Sequence, residues 1–247
     1  MIDLQKIAFL PLDIDLGIIN FDALEAYHNE YSERPRTNMG NNTHGVYVFG
    51  VSPVLYRGTE EQFYDQQHND TNFINRYNTT LGHPKFTFGF DKKFPQLANV
   101  ISNLPITLTH VEMLSNKKDA PPHFDDWEVD GVVDPAWAIL TTRTEAQKQQ
   151  IPDWDVPLNS YKIFIYEHDL PSFFMCKDLL SNLVYGKAEK LSYAAAISKL
   201  SYPHGATYQP GLRKYVLSVW GIVDREKHLA LLERSYAKNS QYAISFK

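Results

Sequence analysis

The sequence predicts a mainly β protein, an antiparallel sandwich or barrel with helical additions. Two observations predict it. From Ile106 onward the strand-like runs ITLTHVEML, YKIFIYE, FFMC and RKYVLSVWGIV are separated by Pro- and Asp-rich stretches such as KKDAPPHFDDWEVDG and QQIPDWDVPLN. No helical pattern alternates with them, as a doubly wound parallel sheet would require. The second observation is composition: Tyr 15, Phe 14 and Trp 4 make 13% of the 247 residues aromatic, and aromatic side chains favour sheets and line ligand pockets.

Taken in order, the elements begin with a helix over residues 21–33, where Phe21, Leu24, Ala26 and Tyr27 recur at helical spacing before Pro35. Residues 46–51 read as a short apolar strand, and the polar stretch 60–77, with aromatics at Phe63, Tyr64, Phe73 and Tyr77, as one or two short helices. Pro95 opens and Pro105 closes a helix over residues 94–104. Strands are expected over 106–114, 161–167, 173–176 and 213–223, the last preceded by the turn dipeptide Pro210-Gly211. Residues 224–236 form a C-terminal helix with Leu229, Leu232 and Tyr236 on one side. With no repeat and no Pro/Gly/Ser linker, the chain reads as a single domain over residues 1–247. Its parts are a mixed helical annex (1–105), a catalytic core (106–223) and a helical tail (224–247).

Composition excludes several classes of function. A net charge of −5 and a pI near 6.0 leave no basic footprint, so nucleic acid is not an expected partner. The single cysteine, Cys176, excludes an intrachain disulfide and a cysteine-rich zinc site. The opening MIDLQKIAFLPLDIDLG mixes acids and a lysine into its apolar residues, unlike a signal peptide, and no apolar run approaches the roughly 20 residues of a membrane span. A soluble cytoplasmic protein without a membrane partner is expected, and the sequons at Asn41, Asn69 and Asn78 read as polar loop residues.

The chemistry is carried by histidines. Four His-x-Asp/Glu triplets occur, at His28, His68, His110 and His123. Chance predicts roughly one in a chain of this make-up, so context has to choose among them. Residues i and i+2 point the same way only on extended backbone, about 6–7 Å apart at their roots. On a helix they diverge by roughly 200°. His28/Glu30 lies in a helical pattern and His68/Asp70 in a stretch without a strand signal. His110/Glu112 sits inside a believable strand, where such a pair reads as a solvated face, although His110 and Thr109 also have the option of facing the barrel interior. His123/Asp125 follows Pro121-Pro122, which enforce extended geometry. His204, in SYPHGATYQPGLRKYVLSVWG, offers a second imidazole, and Arg213 follows nine positions later as a strand begins. Two imidazoles and one carboxylate form the facial arrangement of non-heme iron(II) oxygenases, which leaves coordination positions for a 2-oxo acid and dioxygen. A planar arginine fork suits the remote carboxylate of such an acid.

His123-Phe124-Asp125, His204 and Gly211-Leu212-Arg213 together resemble the H-x-D…H…G-x-R pattern of the iron(II)/2-oxoglutarate-dependent dioxygenases. YKIFIYEHDLPSFF, the His204-Gly205 step and RKYVLSVWG resemble the aspartyl/asparaginyl-hydroxylase-like and small-amino-acid-hydroxylase branch. The resemblance spans residues 106–223. It implies a double-stranded β-helix (jelly-roll) core, with iron(II) held by His123, Asp125 and His204 as the catalytic centre. It further implies that Arg213 binds 2-oxoglutarate, with Lys162 as a second cosubstrate candidate because relatives carry a basic residue where an inner strand starts. The 81 residues from His123 to His204 imply an insertion over 141–159, and the presence of Asp125 disfavours halogenation.

The expected activity is hydroxylation of an unactivated C–H bond, using 2-oxoglutarate and O2, in a small amino-acid-like molecule, a peptide or a protein side chain. Two other classes stay open on sequence: a zinc hydrolase using His123, Asp125 and His204, and a non-catalytic jelly-roll that binds a sugar or partner. Arg213 favours the oxygenase, because neither alternative needs a cation there.

Overall fold

The computed structural model describes residues 7–32, 49–56, 83–123, 128–129, 132–133, 159–188, 193–199 and 202–246. Its first strand, β1 (Ile7–Pro11), is followed by helix α1 (Phe21–Ser32), strands β2 (Phe49–Tyr56) and β3 (Lys85–Phe86), and helices α2 (Phe90–Lys93) and α3 (Pro95–Asn103). Then come β4 (Ile106–Asn116), β5 (Ala120–His123), the small pair β6 (Glu128–Val129) and β7 (Val132–Val133), β8 (Asn159–Tyr166), β9 (Phe173–Met175) and β10 (Val184–Tyr185). The chain closes with β11 (Tyr193–Lys199), β12 (His204–Ala206), β13 (Lys214–Val223), α4 (Arg225–Asn239) and β14 (Ile244–Ser245).

The strands form an eight-stranded sheet, in the order β14-β1-β11-β8-β13-β4-β2-β3, and a four-stranded sheet, β10-β9-β12-β5. Every pairing in both is antiparallel. Through the second half of the chain the strands change sheet repeatedly: β4, β8, β11 and β13 lie in the large sheet, and β5, β9, β10 and β12 in the small one. Within the mixed helical annex, residues 49–56 form a strand of the large sheet that overlaps the strand expected over 46–51, and residues 7–11 form a further strand that the sequence did not mark.

Alternation along the strands sorts the side chains into two cores. Tyr161, Ile163 and Ile165 of β8, with Tyr215, Leu217 and Val219 of β13, pack under Leu24, Leu97 and Leu231 of the helices. Phe164 and Tyr166 point the other way and meet Phe173 and Met175 of the small sheet, with Phe9 beside them. The large sheet therefore has a helix-covered face and an inner face toward the small sheet.

Local signals set the ends of the helices. Asn20 Oδ1 accepts from the Ala23 amide 3.0 Å away and caps α1. Pro95 occupies the first turn of α3, and Leu104, extended before Pro105, ends it. Asp224 Oδ1 accepts from the Lys227 amide to cap α4. On that last helix His228, Leu231, Leu232 and Ser235 are buried whereas Leu229 is exposed, so the expected Leu229 face is rotated by about one residue (roughly 100°). The reason is a polar anchor: Tyr161 Oη and His228 Nδ1 share a buried hydrogen bond of 2.6 Å. The stretch 60–77 lies outside the described residues. No helix among the described residues is long and apolar enough to cross a membrane.

Candidate metal and cosubstrate site

β5 is an edge strand, the position where Pro121 and Pro122 are tolerated because neither can donate to a ladder. It pairs with β12 through an irregular register: Ala120 lies opposite Ala206, and His123 opposite His204. β5 advances three residues while β12 advances two, so one extra residue is accommodated as a bulge. Without it, Ala120 and His123 would face opposite sides of the sheet. With it, His123 turns to the same side as His204. Gly205 makes the close approach possible, since a Cβ there would come 2.4 Å from the Ala120 carbonyl oxygen and 2.6 Å from the Phe174 ring.

The two imidazoles thus become cross-strand neighbours, with ring centroids 4.8 Å apart. His204 is buried and packs on Phe173 at 5.8 Å, inside the inner core. Each ring is oriented by a main-chain carbonyl two residues earlier: His123 Nδ1 lies 2.7 Å from the Pro121 oxygen, and His204 Nδ1 lies 3.1 Å from the Tyr202 oxygen. A carbonyl only accepts, so Nδ1 carries the proton in both and the lone pair resides on Nε2. Second-sphere support of this kind is what metal-binding histidines use. Two neighbouring imidazoles locked in the same tautomer fit a divalent metal. Asp125 lies outside the described residues, and among those described no third His, Cys, Asp or Glu completes a metal cluster with the pair.

Arg213 and Lys214, adjacent in the chain, face opposite sides of the large sheet. Arg213 faces the helix side. Its guanidinium donates to both carboxylate oxygens of Glu167, to Asp22 at 2.5 Å and to Glu25 at 3.3 Å, and it stands 5.6 Å from the Phe21 ring. The fork expected to hold a cosubstrate carboxylate is engaged by three carboxylates of the chain itself, because odd-numbered residues here share the face of Tyr215 and Leu217. Lys214 points inward. It pairs across the ladder with Tyr166, is buried, donates to the Thr207 carbonyl and lies 6.0 Å from the Tyr166 ring. Burial pushes its pKa down to about 8, opposed by the nearby Asp119 carboxylate. Thr207 follows His204 by three residues, so Lys214 is tied to the strand that carries the second histidine. Its signal in the sequence was parity alone, and RKYVLSVWG is too apolar on both faces for parity to be read there.

Lys162 is also inward and buried, and its Nζ donates to Ser218 Oγ at 3.0 Å. It lies four residues from Tyr166 along β8, about 13 Å from the Lys214 row at extended spacing. The two lysines therefore lie at different levels of the inner face. Of the two options for His110, a solvated face or the barrel interior, the structure takes the interior. His110 is buried and stacked on Trp220, with centroids 5.7 Å apart, and the register sets it and Glu112 opposite Trp220 and Ser218 on the inner face. His28, on α1, takes no part in this site: its Nδ1 lies 2.8 Å from Ser52 Oγ and its Nε2 2.6 Å from Ser115 Oγ.

No family model matches the chain, and no curated protein matches it either. Among solved structures it is similar to an oxidoreductase of the 2OG-Fe(II) oxygenase family from Burkholderia pseudomallei, at 10% identity and a TM-score of 0.35, over 83% of this chain and 80% of that one. It is also similar to a prolyl-4-hydroxylase of Pseudomonas putida, at 11% identity and a TM-score of 0.33, over 89% and 95% of the respective chains.

Proposed function

We propose that the protein is an iron(II)- and 2-oxoglutarate-dependent oxygenase built on a jelly-roll core, with His123 and His204 as metal ligands and Asp125 as the third. The observation that carries this reading is the bulged pairing of β5 with β12, which sets His123 opposite His204 with both rings turned to one side and both Nδ1 atoms fixed. The wiring of β4 through β13 between two antiparallel sheets supports the jelly-roll reading. Bound iron would supply oxidation of a substrate C–H bond coupled to decarboxylation of 2-oxoglutarate to succinate.

The chain's own residues do the positioning. Lys214, rather than Arg213, receives the remote carboxylate of 2-oxoglutarate: it is a buried cation on the inner face, close to the histidine strand, and among the described residues no carboxylate lies within ion-pair distance of it. Phe173 and Phe164, in contact at 5.2 Å, close the space between the sheets and keep water from the metal side.

The decisive experiment is an anaerobic titration of apo-protein with iron(II) and then 2-oxoglutarate, followed by the visible metal-to-ligand charge-transfer band. The band is expected in the parent and absent from His123→Ala and His204→Ala. A parent that binds iron or zinc and gives no band overturns the oxygenase reading and favours a hydrolase.

A further inference from the structure

Three polar side-chain atoms in the neighbourhood of Lys214 are buried and make no hydrogen bond: His168 Nε2, Ser172 Oγ and Gln209 Oε1. Folded proteins leave few such groups unpaired, because each gives up its hydration without return. The fold brings them together. Lys214 stands opposite Tyr166 in the ladder, donates to the Thr207 carbonyl and lies 6.0 Å from the Tyr166 ring. The Thr207 amide donates in turn to the Ser172 carbonyl at 2.9 Å, and Gln209 is two residues further along the chain. His168 stacks on Tyr166, with centroids 5.7 Å apart and planes 16° from parallel. The crossovers that leave β8 and β12 thus deliver all three atoms to the Lys214 end of the inner face.

Neighbouring groups set the hydrogen-bond role of each. The Leu170 amide donates to His168 Nδ1 at 3.0 Å, so Nδ1 holds the lone pair and Nε2 holds the proton. Burial, reinforced by the Lys214 ammonium, holds the His168 pKa below its ordinary value and keeps the ring neutral. Ser172 is wholly buried. Burial pushes the pKa of the Tyr166 phenol up and the nearby Ser172 hydroxyl opposes the shift, yet Ser172 Oγ makes no hydrogen bond. Two neutral donors therefore stand near one ammonium. A carboxylate, flat and singly charged, can accept from all three. A phosphate dianion would leave its second charge uncompensated in a buried place, near Gln209 Oε1, which only accepts.

We propose that His168 and Ser172, with Lys214, form a carboxylate cradle that is complete before any metal binds and that fixes the far end of the dicarboxylate cosubstrate, an inference that rests on the oxygenase reading of the two histidines. His168 Nε2–H and Ser172 Oγ–H each donate to the carboxylate, and Lys214 supplies the charge. In the ligand-free protein an unpaired hydroxyl at Ser172 destabilises the fold, and a bound carboxylate relieves that cost.

Glutarate carries both carboxylates of 2-oxoglutarate but lacks the 2-oxo oxygen that a metal would chelate, so it probes the cradle alone. Calorimetry of the metal-free protein is expected to show glutarate binding that inorganic phosphate does not displace. Ser172→Ala and His168→Phe, the second keeping a ring against Tyr166, should each weaken glutarate binding by about tenfold. Each should raise by about the same factor the 2-oxoglutarate concentration that half-fills the charge-transfer band of the iron-loaded protein. Ser172→Ala should leave the melting temperature of the metal-free protein unchanged or higher, the reverse of what removing a purely structural hydroxyl does. The proposal is overturned if glutarate does not bind the metal-free parent, if phosphate displaces it, if either variant binds it as the parent does, or if Ser172→Ala melts earlier. Glutarate binding by a parent that gives no charge-transfer band keeps the cradle and sinks the oxygenase reading alone. A band from a parent that does not bind glutarate sinks the cradle alone.

Discussion

At the scale of single residues, neighbouring cations on one strand have opposite fates. Arg213 and Lys214 are adjacent in sequence, yet the strand's period of two sends one to the helix face and the other to the inner face. Replacing Lys214 by Met is expected to weaken 2-oxoglutarate binding by about tenfold or more, measured by titrating the charge-transfer band. Arg213→Met should leave that affinity unchanged and instead lower the melting temperature in a salt-sensitive way, since its partners are on α1 and just beyond β8. The titration of Lys214 adds a pH signature. Its ammonium is present below about pH 8 and is lost above it, so affinity for the dianion should fall as pH rises through that value. A flat profile from pH 7 to pH 9 would remove Lys214 from the role.

At the scale of elements, the site depends on how two short strands meet. β12 has three residues and β5 four, and neither holds a histidine in place without the other. Gly205 is the point of closest approach. A methyl group there meets main-chain oxygen of Ala120, which cannot swing aside as a flexible side chain would. Gly205→Ala should therefore push β5 away from β12, cost about 2 kcal/mol of stability and weaken iron(II) binding, read together from denaturant curves and metal titration. Unchanged iron affinity in a folded Gly205→Ala protein would mean that the histidine pairing does not depend on this contact. The same logic bears on the two prolines: an edge strand with an irregular register is where missing ladder donors are tolerated, and the prolines favour the extended approach to His123.

At the scale of the whole molecule, helices and sheet are held together partly by buried neutral histidines. His28 joins α1 to β2 and β4, and burial, reinforced by Lys117, pushes its pKa down to about 4. His228 joins α4 to β8, and burial lowers its pKa as well. In the unfolded chain such a histidine titrates near 6.5, so the unfolded state takes up protons first as pH falls. The stability that His28 provides is full above about pH 6.5 and is lost progressively toward pH 4. From pH 7 to pH 5 the parent should lose roughly 2 kcal/mol through this residue alone. Urea unfolding at the two pH values should show a smaller loss for His28→Gln than for the parent, and equal losses would refute the assignment.

Much of this arrangement was legible in the sequence. Local chemistry marked α1, α3, α4 and the long strands β4, β8 and β13, because caps, prolines and apolar periodicity act over a few residues. The extended geometry of His123, the exclusion of the helical His28/Glu30 pair and the candidacy of His204 followed from the same local reasoning. Other features required the tertiary structure. β1 and β11 become strands of the large sheet by pairing with each other across some 190 residues of chain, a contact no local window contains. The inward turn of His110 and Glu112, the opposite facing of Arg213 and Lys214 and the meeting of His123 with His204 all depend on register. Register is a relation between distant strands, and a shift of one residue exchanges the faces of every side chain in them. The sequence by itself determined which residues were able to carry the chemistry; the packing of two sheets decided which of them face the same space.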